Sequence, residues 1–115
     1  MKRLKACSVL SDIEKQILLR CGEAIRRLDS SAEVILYGSR ARGDAGPESD
    51  YDLLILTDGK VTLEKEDEFR RQLFPIELDT GAVLTVFLIS NRDWEFRLNT
   101  TLPLYENIRK DGVIL

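Results

Sequence analysis

The chain has 115 residues, 43% of them hydrophobic, and 17 basic against 20 acidic side chains give a net charge of −3. That size and apolar content fit one folded domain over residues 1–115 and exclude a disordered chain, while the acidic balance and 7% aromatic content argue against a polynucleotide partner. No apolar run is long enough to span a bilayer, and the lack of histidine removes Cys/His zinc sites, Ser-His-Asp triads and imidazole bases.

The first residues, Met1 to Lys5, are basic, but no sustained apolar segment follows. No signal peptide is therefore expected, and a cytoplasmic location is. Ser11-Asp12-Ile13-Glu14 has the form of a capping box, with Ser11 and Glu14 each placed to satisfy a free backbone donor. Ile13, Ile17, Leu18, Cys21, Ala24, Ile25 and Leu28 then recur at helical spacing, and the helix should end near Asp29 to Ser31. Cys21 on that stripe reads as a small core hydrophobe. Glu33 to Tyr37 reads as a buried strand, Ser39 to Gly43 as a short helical turn, and Ala45 to Ser49 as a loop marked by Gly-Pro.

Tyr51 to Thr57 is the second predicted strand, ended by Asp58-Gly59. A charged helix follows from about Leu63, with Leu63, Phe69, Leu73 and Phe74 as packing candidates. Pro75 either kinks it or starts a second helical piece reaching Thr80, and Gly81 closes it as a C-cap. Ala82 to Ile89 is the most apolar run and predicts a third, fully buried strand. Ser90 to Asp93 opens another helix, with Trp94 near its start. Pro103 and Gly112 bracket a last helix carrying Leu104, Tyr105 and Ile108, and Val113 to Leu115 would form an edge strand. The order predicts an α/β (α+β) fold, a small mixed β-sheet with flanking helices. Trp94, Phe96, Leu102 and Tyr105 read as core, with a homodimer or heteromer surface as the alternative.

The chemistry concentrates in two places. Gly38-Ser39 follows the apolar run Val34-Ile35-Leu36, and a turn there offers backbone N–H groups and a hydroxyl to a phosphate. An ordinary N-cap is the plainer reading of the same residues. Asp50 and Asp52 lie at i and i+2, which on a strand puts both carboxylates on one face. Two adjacent carboxylates repel unless a cation lies between them, and Asp52 directly precedes the apolar Leu53 to Leu56. Arg40 and Arg42 could reach phosphate, pair with a carboxylate or simply face solvent; Asp44 could balance them. A phosphate cradle beside paired carboxylates suggests Mg²⁺–nucleoside triphosphate chemistry. No G-x-x-x-x-G-K-[ST] loop is present, so a Walker ATPase is not supported.

The run Gly38-Ser39-Arg40-Ala41-Arg42-Gly43, followed by Ser49-Asp50-Tyr51-Asp52-Leu53-Leu54, closely resembles the G-S-x-A-x-G…S-D-x-D-[LI] signature of the nucleotidyltransferase superfamily. That superfamily includes DNA polymerase β-like proteins, kanamycin nucleotidyltransferase-like enzymes and minimal nucleotidyltransferases, and the length resembles the minimal type. The resemblance implies that Gly38, Ser39, Arg40 and Arg42 bind the triphosphate. It also implies that Asp50 and Asp52 are catalytic and hold two Mg²⁺ ions, and that an acceptor hydroxyl attacks the α-phosphorus. ATP is the implied NTP. Minimal members often accompany a small helical protein as the antitoxin of a toxin–antitoxin pair, so that partner or a small molecule is the implied acceptor. Active members usually add a third carboxylate on the next strand. Here that strand, Ala82 to Ile89, holds no acid, and Thr85 stands near the expected place. Glu77 and Asp79 lie just upstream and are read as solvated helix-face acids. The departure leaves a second expectation open: a non-catalytic nucleotide-binding or antitoxin-type interaction module of the same fold.

Overall fold

The computed structural model describes residues 1–98 and 102–115. In chain order the elements are β1 (Lys2–Arg3), a 3₁₀ turn (Leu4–Ala6), α1 (Asp12–Leu28), β2 (Glu33–Tyr37), α2 (Ser39–Arg42), β3 (Tyr51–Thr57), α3 (Leu63–Thr80), β4 (Leu84–Ser90), α4 (Asn91–Leu98), α5 (Pro103–Asp111) and β5 (Val113–Ile114). Five strands form one sheet in the order β1-β5-β2-β3-β4. β2 runs antiparallel to β3 and β5, whereas β3–β4 and β1–β5 are parallel. The mixed sheet with flanking helices is the predicted fold class.

Local chemistry sets the helix ends. Ser11 accepts from the Glu14 backbone N–H while Glu14 accepts from that of Ser11, so the predicted capping box opens α1. Thr62 caps α3 through the Lys65 backbone N–H. Gly81 ends α3 at φ 75°, a left-handed conformation that favours glycine. α3 runs unbroken through Pro75, so no second helical piece begins there.

Strand alternation divides the core between the two sheet faces. Leu18, Cys21, Ala24 and Ile25 of α1 and Phe69, Leu73 and Ile76 of α3 cover one face, against Val34, Leu36, Leu53, Ile55, Leu84 and Leu88. Trp94 of α4 and Ile108 of α5 cover the other, against Ile35, Leu54, Leu56 and Ile89. Trp94 meets Tyr105 edge to face, with centroids 6.1 Å apart. Phe96 and Leu102, expected in the core with them, are exposed, as are Leu63 and Phe74. Cys7 and Cys21 are buried free thiols. Burial pushes the Cys21 thiol up to about 12, so it stays protonated and unreactive.

Two strand expectations change places. β5 is interior, inserted between β1 and β2. β4, expected to be fully buried, is an edge strand opposite the two-residue β1, and Thr85, Val86 and Phe87 are half-exposed. Its apolar sequence signalled burial on both faces; the missing neighbour lies in the hydrogen-bonding direction, which hydrophobicity does not report.

Candidate functional site

β2 ends at Tyr37 and the chain turns at Gly38 into the single helical turn of α2. Gly38 has φ 79°, where a side chain is strained. A Cβ on Gly38 would also collide with the Asp52 carboxylate. The turn backbone and Asp52 Oδ2 are therefore in direct apposition. The first N–H groups of α2, on Ser39 and Arg40, have no acceptor within that turn, whereas those of Ala41 and Arg42 both reach the Gly38 carbonyl.

Asp52 is the second residue of β3, between Tyr37 of β2 and Thr85 of β4 in the register. Alternation places Tyr37, Asp52 and Thr85 on the face that carries Ile35 and Leu54. The Thr85 hydroxyl donates to Asp52 Oδ1 at 2.7 Å. Asp52 is half-buried and has no ion-pair partner among the described residues. Burial, then the negative charge of Asp52, holds the Tyr37 phenol above its ordinary value, so it remains a neutral donor. Asp50 immediately precedes β3 and is exposed. Gly38, Asp52, Thr85 and Tyr37 thus converge, with Ser39 and Asp50 on the flanking segments.

Arg40 is otherwise occupied. Its side chain is 11% exposed, and its donors reach the Ser49 carbonyl at 2.9 and 2.7 Å, the Pro47 carbonyl at 3.3 Å and Glu14 Oε2 at 2.9 Å. The guanidinium also lies 4.1 Å over the Tyr51 ring. It clamps the loop leading into Asp50 and Asp52 against α1. Burial alone would raise the Glu14 carboxyl, but hydrogen bonds from Ser11 and the Arg40 guanidinium outweigh it and hold it below its ordinary value. Arg42 is exposed and pairs with Asp44 at 3.3 Å.

Neither upstream acid joins this group. Glu77 accepts from the Leu84 backbone N–H at 3.0 Å, and Asp79 pairs with Arg20 at 2.6 Å. Among the described residues no cluster of three or more His, Cys, Asp or Glu side chains could hold a metal. The residues present fit a cation more modestly: Asp52 abuts a glycine turn whose amides suit phosphate, Asp50 stands two residues before it, just ahead of β3, and neither has an ion-pair partner among the described residues. Tyr37 and Glu14 were missed from sequence. Tyr37 was findable, because it precedes Gly38 on the same strand parity as Ile35; Glu14 gave no signal beyond its capping role.

A family model described as Nucleotidyltransferase domain matches residues 18–113, which run from within α1 to the first residue of β5 and include every residue of this site except Glu14. No curated protein matches the chain.

Proposed function

The chain belongs to the nucleotidyltransferase domain family, whose chemistry is transfer of a nucleoside monophosphate from an NTP, and from that premise we propose Mg²⁺-dependent transfer from ATP to a hydroxyl acceptor. The apposition of the Gly38 turn to Asp52 is the observation that carries this reading. It leaves no side chain between a triphosphate on the turn and a cation on the carboxylate. In the proposal Gly38 and Ser39 hold the phosphates, and Asp50 and Asp52 hold Mg²⁺. Bound there, the metal supplies charge neutralisation for the attacking and leaving oxygens. Arg40 acts as a positioning residue, fixing the Pro47–Ser49 segment so that both carboxylates arrive in register. Arg42, tied only to exposed Asp44, is free to turn to phosphate. Acceptor hydroxyls on a small helical partner protein or on a small molecule both suit an open rim of this kind.

A specific observation supports the second reading, a non-catalytic nucleotide-binding or antitoxin-type module. The strand position beside Asp52 holds Thr85, which offers a hydroxyl and neither negative charge nor a base at neutral pH. Incubation with each α-labelled NTP and Mg²⁺ or Mn²⁺, with and without lysate, separates the two. Label transfer that disappears in Asp50→Ala/Asp52→Ala supports the enzyme and reveals acceptor class and base preference. NTP binding without transfer supports the module. Transfer that survives the double substitution overturns the metal-site assignment.

A further inference from the structure

We infer that the free edge of β4 is a self-complementary interface at which a second copy of this chain pairs antiparallel, with the two-fold axis through Val86. The sequence of β4, Leu-Thr-Val-Phe-Leu-Ile-Ser, has no charge, proline or glycine, the devices that normally protect an edge. Tyr51 N–H bonds the Val83 carbonyl, and Tyr51 lies opposite Leu84. In a parallel ladder this turns the backbone of residues 83, 85, 87 and 89 toward β3, and that of Leu84, Val86, Leu88 and Ser90 outward. Among the described residues the one outward donor with a partner is Leu84 N–H, taken by the Glu77 carboxylate.

Beside this edge α3 and β4 bound an open groove of about 410 Å³, lined by Asp67, Arg70, Arg71, Leu73, Phe74, Glu77, Leu84 and Val86. Phe74 is 46% and Val83 51% exposed. Arg71 and Glu77 line it as opposite charges, neither with an ion-pair partner among the described residues.

The register identifies the occupant. α3 runs back along β4, with Glu77 beside Leu84. Two strand residues onward is about 6.6 Å, or about four residues back along the helix, so Val86 lies level with Leu73 and Phe74. A two-fold axis at Val86 pairs Val86 with its own copy and Leu84 with Leu88 of the second copy. It also brings Phe74 to Phe74. Arg71 and Glu77 are equidistant in sequence from Phe74, so each Arg71 then faces Glu77 of the other copy. Glu77 exchanges its bond to Leu84 N–H for that guanidinium, and Leu84 N–H passes to the Leu88 carbonyl across the axis. On the opposite face Thr85 comes to lie beside Phe87 of the second copy, so the dimer adds an apolar wall next to Asp52.

The test is the mass of the full chain in solution, by light scattering and by sedimentation velocity over a concentration series. Wild type is expected to sediment as a dimer. Arg71→Glu and Glu77→Arg should each weaken dimerisation about tenfold or more through like-charge contact across the axis. Arg71→Glu/Glu77→Arg in one chain should restore it, because the swapped charges again meet. That rescue separates an interface from a folding defect. A wild-type monomer at every concentration overturns the inference. So does a dimer that neither single variant weakens.

Discussion

β3 carries a carboxylate–threonine pair at each end, and the two differ in how the negative charge is compensated. At its end, buried Thr57 donates to Asp29 Oδ2 at 2.6 Å, Ser31 adds its hydroxyl and backbone N–H, and Lys65 stands 3.8 Å away. The Thr57 bond first, and the Ser31 hydroxyl after it, hold the Asp29 carboxyl below its ordinary value. At the start, Thr85 donates to Asp52 at 2.7 Å, but no cation among the described residues answers the charge. One pair is closed within the fold; the other is open, and in the proposed function a bound cation completes it. Buried or half-buried charges are compensated where they serve stability alone.

Removing each carboxylate should break the comparison most sharply. Asp52→Ala is expected to lower transfer by about 10³-fold or more, several kcal/mol of transition-state stabilisation, with a melting temperature at or above wild type. Asp29→Ala should do the reverse. It leaves the Thr57 hydroxyl without its acceptor and costs about 1–3 kcal/mol in urea unfolding, with transfer unchanged in the fraction that remains folded. A large loss of stability in Asp52→Ala would mean that the two ends are structurally alike.

The arginines extend the contrast to the rim. Arg40→Ala removes a nearly buried guanidinium from Glu14, Pro47 and Ser49 and should cost about 3 kcal/mol. Arg42→Ala breaks only an exposed pair and should stay within about 0.5 kcal/mol. Equal losses in urea unfolding would refute the clamp.

The legible parts of this fold are those encoded locally. β2 and β3 begin and end where their apolar runs do, and the Ser11–Glu14 box and the Gly81 cap mark helix ends within a few residues of themselves. The alignment of Thr85 with Asp52 was also readable, since adjacent strands bring equivalent positions together. Long-range placement was not. β1 is two charged residues held against Val113 and Ile114 from the far end of the chain, and no local pattern encodes that pairing. The Arg40 clamp depends on Glu14, whose capping-box role already accounts for its presence in the sequence.

Acid should weaken the closed end of β3 by a smaller margin. A carboxyl depressed in the folded state stabilises above its unfolded pKa, about 4, and that contribution is lost as pH falls through the folded value. Asp29 is such a group. The stability difference between wild type and Asp29→Asn in urea unfolding should therefore be full near neutrality and shrink below about pH 4. A difference constant with pH would show that Asp29 acts through shape and not through charge.

The smallest expected effect is the most discriminating. Thr85→Val removes one hydrogen bond from a half-buried carboxylate that water can still reach, and should cost under about 1 kcal/mol. Thr85→Asp instead places a second carboxylate opposite Asp52 in the register. Without metal the two charges repel, so the melting temperature should fall below that of Thr85→Val. With Mn²⁺ the same pair becomes a ligand set, and the melting temperature should recover while Mn²⁺ affinity, read by its electron paramagnetic resonance signal, rises above wild type. Destabilisation that Mn²⁺ does not reverse would place Thr85 outside metal reach. The absent acid would then have no bearing on whether this member turns over. Recovery with a gain in transfer would show that a single side chain on the free edge strand sets how far an otherwise complete site can go.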